Sequence, residues 1–178
     1  LKAAYDAFAD KWGHFDDPAC AMGPVVSKKQ MERVKAYVDI GVAEGATLLA
    51  GGNLRPDMGT GWFIEPTCFV DVTNDMRIAQ EEIFGPVLVV IPFDDDEDAI
   101  RIANDSIYGL SGHVHSGNIE NARRVASKIR TGMIHVNGAA RDVFAPFGGY
   151  KQSGNGREGG LFGLKDFMEV KAVCGLPA

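Results

Sequence analysis

A Gly-Pro pair followed at once by five apolar residues constrains this chain more than any other feature. In Glu81-Glu82-Ile83-Phe84-Gly85-Pro86, the proline pushes the residue before it out of helical geometry, so a helix through the two glutamates must stop near Gly85. The run Val87-Leu88-Val89-Val90-Ile91 then reads as a buried strand. Two carboxylates and a phenyl ring therefore stand at a helix-to-strand junction. A carboxylate only accepts hydrogen bonds, through two oxygens, which suits a vicinal diol such as a ribose. On chemistry alone, a solvated acidic helix end is the plainer reading of Glu81 and Glu82.

The rest of the chain alternates in the same manner. Leu1, Ala4, Tyr5, Phe8 and Trp12 form an amphipathic helical stripe with no N-cap before Leu1, so the helix begins mid-stream and the chain is expected to be a piece of a longer protein. Ser27 reads as the N-cap of a helix to Glu44 with Met31, Val34, Val38 and Val42 on one face. Strands are expected at 46–50, at 62–72 (interrupted by Pro66, which suits an edge), at 87–93, from Tyr108 to Ser116, at 132–137 and at 168–173. Helices are expected at 75–83, 99–104 and 118–129, with a last turn at 163–166. This pattern predicts an α/β fold, a largely parallel layered sheet with helices on both faces, and no linker divides it.

Composition removes several function classes. The net charge of −6 argues against a sequence-independent grip on nucleic acid. No apolar run approaches the roughly 18 residues that span a bilayer, and no basic-plus-apolar signal segment opens the chain. Cys20, Cys68 and Cys174 are an odd set without a Cys-x-x-Cys pair, which fits a reducing cytoplasm. None has a recognisable thiolate environment.

Three other patterns carry less than they suggest. Asp94-Asp95-Asp96-Glu97-Asp98 lacks the glycine and glutamate of a calcium loop and reads as an acidic helix N-terminus. His113, His115 and His135 would need to converge to bind zinc, and strand-face histidines are the simpler reading. Gly154-Asn155-Gly156-Arg157-Glu158-Gly159 matches G-x-G-x-x-G but follows a loop rather than a strand, so it is not a dinucleotide fingerprint.

Taken together, Glu81–Val87, Pro146–Glu158, Gly61-Trp62-Phe63-Ile64-Glu65-Pro66-Thr67, Tyr108-Gly109-Leu110 and Gly132–Asn137 resemble the C-terminal half of an aldehyde dehydrogenase of the NAD(P)-dependent family. The resemblance implies oxidation of an aldehyde to a carboxylic acid with NAD or NADP, through a cysteine thiohemiacetal and a thioester. It implies a catalytic-domain portion over residues 1–167 and, over 168–178, a strand that joins a neighbouring subunit, hence a homo-oligomer. Glu82 matches the glutamate that binds the nicotinamide ribose hydroxyls, and Phe84 the aromatic beside it. Gln30 and Arg33 fall where weaker contacts near the adenine-side ribose are found. Phe147 matches an aromatic of the substrate tunnel, Asp142 and Phe144 sit in the specificity loop before it, and Glu158 matches a glutamate proposed in some members to relay protons. The nucleophilic cysteine, the general-base glutamate and the Rossmann portion have no counterpart here, so the isolated chain is expected to be inactive. Two rival readings are a non-enzymatic, dehydrogenase-like docking subunit and a metal hydrolase built on the three histidines.

Overall fold

The computed structural model describes residues 1–8, 11–14 and 16–175. The chain divides into two compact units, Leu1–Pro92 and Phe93–Ala178. The division follows directly on an apolar strand, with no Gly/Ser-rich stretch to mark it in the sequence.

In the first unit, α1 (Lys2–Phe8) and α2 (Lys28–Ala43) precede a sheet of β1 (Thr47–Ala50), β2 (Thr67–Val70) and β3 (Val87–Val89), with α3 (Arg77–Gln80) before β3. The strand order is β1-β2-β3, β1 antiparallel and β3 parallel to β2. The sheet is thus mixed, and the expected edge strand is its centre. Pro66 is harmless because it lies just outside β2: the first ladder donor is Thr67 N–H, bonded to Pro86 O at 2.8 Å.

Ser27 caps α2 as its type requires, its side chain accepting from Gln30 N–H at 3.2 Å. Val34 and Val38 of the expected stripe are buried and Met31 packs against the same core, joined by Tyr37 and Gly41, whereas Val42 is exposed. At Gly41 a Cβ would lie 3.0 Å from Phe69 and Ile78, so the helix presses its bare backbone onto the core there. That core joins α2 to Ala46, Ile64, Phe69, Val72, Ile78 and Ile83. The opening stripe is shorter than expected: α1 buries no residue completely, and Trp12 lies in a bridge with Met22 instead of a helix.

The second unit contains α4 (Asp96–Asn104), β4 (Ser111–Val114), α5 (Ile119–Lys128), β5 (Met133–Val136) and α6 (Gly160–Lys165). β4 and β5 pair in parallel, with α5 packed against both. The acidic run does what its charge favours: Asp95 caps α4, accepting from Asp98 N–H at 2.9 Å, and the helix starts earlier than expected. Residues 168–173, expected to form a strand, are not one here, and Val170 is 97% exposed. A strand needs a partner edge, and among the described residues no other segment pairs with it. Residues 176–178 of the expected terminal segment lie outside the described residues.

Both units are thus α/β, with a mixed and a parallel sheet and flanking helices. Among the described residues no helix is long and apolar enough to cross a membrane.

Phe69, on β2, is fully buried under α2. Phe69→Ala should destabilise the chain by about 3–5 kcal/mol in urea unfolding. The half-exposed Leu48→Ala should cost far less.

Candidate functional site

The Gly85-Pro86 break places Glu81 through Phe84 on a short connection between α3 and β3. Four side chains hold it. Arg77 grips Glu81 with two bonds, Nε to Oε1 at 2.9 Å and Nη2 to Oε2 at 3.0 Å, and Tyr37 donates its hydroxyl to the same carboxylate at 2.6 Å. From α2, Gln30 Nε2 donates to Ile83 O at 3.0 Å and to Phe84 O at 2.8 Å. Arg33 Nη2 donates to Glu82 O at 2.7 Å and to the Tyr37 hydroxyl at 3.3 Å. Gly85 lies so close to α2 that a Cβ would meet Val34 Cγ2 at 2.4 Å.

The adjacent glutamates thus have opposite fates. The Arg77 guanidinium, followed by the Tyr37 hydroxyl, pulls the Glu81 carboxyl down from its ordinary 4.5 to about 2. In return the bond to Glu81 pushes the Tyr37 hydroxyl pKa upward. Glu82 keeps an exposed carboxylate that has no hydrogen-bond or ion-pair partner among the described residues. Phe84 adopts φ +59°, in the left-handed region, with its ring 72% exposed. An apolar ring held in the open on a strained backbone, beside a free carboxylate, presents a flat apolar face next to two acceptor oxygens.

In the second unit, Phe147 and Glu158 face each other through two reciprocal backbone bonds of 2.7 Å. They line an open cavity of about 340 Å³ together with Gly148, Arg157 and Phe167. Arg157 donates to Gly149 O at 3.0 Å and Gly156 O at 2.8 Å, which ties the two glycine-rich strands of this loop together. The Arg141 guanidinium lies 4.5 Å from the Phe147 ring centre. The Asp142 carboxylate accepts Phe144 N–H at 2.9 Å and shapes the loop, while the Phe144 ring is 80% exposed. Glu158 keeps an exposed carboxylate without a partner among the described residues.

His113 and His135 are register partners on β4 and β5, with rings stacked 4.8 Å apart. No cluster of three metal-ligating side chains occurs among the described residues. Cys68 is wholly buried, Cys20 donates to Met22 O at 3.1 Å and Cys174 is exposed. No cysteine among the described residues bonds to a histidine or lysine that would favour its thiolate.

Sequence reasoning assigned nothing to Glu81 and did not single out Tyr37. The signal was present: Gln30, Arg33 and Tyr37 fall at i, i+3 and i+7 on one face of α2.

A family model for the "Aldehyde dehydrogenase family" matches residues 1–173. A 3-succinoylsemialdehyde-pyridine dehydrogenase from a Pseudomonas species is 57% identical over 155 residues, which is 86% of this chain and 32% of that protein. Among solved structures, an aldehyde dehydrogenase of Mycobacterium tuberculosis complexed with NAD+ is similar with TM-score 0.87 and 48% identity, over 93% of this chain and 35% of its own. A mutant of aldehyde dehydrogenase C of Pseudomonas syringae, complexed with NAD+ and octanal, has TM-score 0.84 and 46% identity, over 87% of this chain and 32% of its own. The chain spans about a third of the length of the curated relatives it matches.

The Glu81 carboxyl is held low by Arg77, so its contribution to holding the turn is full above its ordinary 4.5 and fades as pH falls through about 2. Carbon NMR of the Glu81 carboxyl should titrate in that low range. In Arg77→Met the titration should move up toward 4.5, with the turn loosening at correspondingly higher pH.

Proposed function

This chain belongs to the aldehyde dehydrogenase family, and from that we propose that it is the catalytic-domain portion downstream of the nucleophilic cysteine in an enzyme that oxidises an aldehyde to a carboxylic acid with NAD(P)+. The observation that carries the reading is the pairing of the unpartnered Glu82 carboxylate with the uncovered Phe84 ring on a pinned turn. Two acceptor oxygens fit the hydroxyls of a ribose, each charge-assisted bond contributing about 1.5–3 kcal/mol. The flat ring fits the apolar side of the same ribose and its base.

When bound, the nicotinamide supplies a hydride acceptor. This chain's own residues do the holding. Glu82 anchors the ribose and Phe84 limits how far it can rock. Phe147 lines the approach of the aldehyde, and the loop carrying Asp142 and Phe144 adjusts its width. Glu158, with a free carboxylate close to Phe147 in the fold, is suited to pass a proton during hydrolysis of the acyl intermediate.

The covalent step belongs to residues outside this chain. In support, none of the three cysteines has a base beside it among the described residues, and the chain covers only about a third of its curated relatives. The isolated chain, without the Rossmann portion, is inactive in this reading, and residues 1–167 are its share of the catalytic domain. Residues 168–178 form a strand on a neighbouring subunit of a cytoplasmic homo-oligomer. The bare Phe167, Val170 and Val173 support that role, since an apolar segment left in water favours association.

Two measurements test this. Purified chain should form no reduced cofactor from NAD+ and octanal above a no-enzyme control. In the full-length enzyme that carries this chain, Glu82→Gln should raise the KM for NAD+ by about tenfold, the loss expected for one weakened charge-assisted bond. An unchanged KM would remove Glu82 from the ribose site.

A further inference from the structure

We infer that α2 is the template of the ribose-facing turn, with Gln30, Arg33 and Tyr37 acting as positioning residues. The inference rests on the ribose reading of Glu82 and Phe84.

The three side chains project from one face of α2, and each donates at least one hydrogen bond to the turn. Both amide hydrogens of Gln30 are committed, one to Ile83 O and one to Phe84 O, so no donor of that side chain remains for a cofactor hydroxyl. Arg33 holds Glu82 O and also donates to the Tyr37 hydroxyl, and that hydroxyl in turn donates to Glu81. The Tyr37 ring is flanked by two guanidinium groups, Arg33 at 5.1 Å and Arg77 at 5.9 Å, which fixes its own orientation.

Four consecutive residues are thereby held from the helix. Glu81 is held by its side chain, and Glu82, Ile83 and Phe84 by their carbonyls. The left-handed backbone of Phe84 is a conformation that a free aromatic residue leaves readily. Val34, pressed on Gly85, closes the path by which the turn would relax toward α2. What the clamp leaves free is the Glu82 carboxylate and the Phe84 ring, the two groups the ribose reading needs. The position of both thus depends on residues about fifty positions earlier in the chain.

The test compares Gln30→Leu, Tyr37→Phe and Glu82→Gln. Hydrogen–deuterium exchange of residues 81–87 is followed in the purified chain without cofactor, and KM values for NAD+ and aldehyde are measured in the full-length enzyme that carries it. Tyr37→Phe keeps the stacked ring and removes only the hydroxyl, so the fold is preserved.

Gln30→Leu and Tyr37→Phe are expected to speed exchange in this segment by about tenfold and to raise the KM for NAD+ by a similar factor, with the aldehyde KM unchanged. Glu82→Gln is expected to raise the KM for NAD+ without changing exchange. Arg33→Lys, which retains a donor for Glu82 O, should restore most of what Arg33→Met loses.

If the α2 variants raise the KM while exchange stays slow, they touch the cofactor directly and the template is overturned. Unchanged exchange together with unchanged KM also overturns it. If exchange rises in the α2 variants but Glu82→Gln leaves the KM unchanged, the template stands and the ribose reading fails.

Discussion

The hydrogen bonds that α2 sends into residues 82–84 are the interaction on which the site depends. A connection between a helical turn and a strand has no ladder of its own, so its carbonyls must find other donors. Here they find side chains of a helix capped by Ser27 and packed through Val34 and Val38 onto the core. Three carbonyl bonds at about 0.5–1.5 kcal/mol each are comparable with the 1–3 kcal/mol typical of a strained backbone residue. The turn can therefore keep Phe84 at φ +59° with its ring in solvent.

The division of labour between Glu81 and Glu82 follows from the same arrangement. One carboxylate is saturated by Arg77 and Tyr37 and serves as an anchor. The other is left bare. An exposed carboxylate on a loose loop would lose side-chain and backbone freedom on binding, which weakens affinity. Fixing its neighbour removes part of that cost before any ligand arrives. The glycine-rich loop of the second unit uses a related device: Arg157 bonds to carbonyls on both strands of the loop and so fixes where Phe147 and Glu158 stand.

Much of the fold was legible. The Ser27 cap, the acidic start of α4 and the strand after Pro86 are local consequences of residue type; the cap stands where the sequence puts it, while α4 begins earlier and β3 ends sooner than expected. The misreadings have tertiary causes. The end of the α2 stripe shifted from Val42 to Gly41, whose bare backbone allows close approach to Phe69. The strand after Pro66 became central because proline lay one residue outside the ladder. Residues 168–173 are not a strand, and among the described residues no other segment pairs with them. Glu82, Phe84, Phe147 and Glu158 were singled out through a resemblance, whereas Tyr37 was not, because a tyrosine on a core-facing helix looks like packing.

The sequence by itself determined the type and order of most elements, because caps, Gly-Pro breaks and apolar runs act over a few residues. It also determined the family, because the motifs keep one order along nearly the whole chain. Arg77, four residues before Glu81, is a local partner that the sequence already contains. The tertiary structure alone decided that the Tyr37 hydroxyl, forty-four positions away, completes the hold on Glu81 and that Gln30 and Arg33 fix the carbonyls of 82–84, and no local pattern around 81–82 records where those donors arrive.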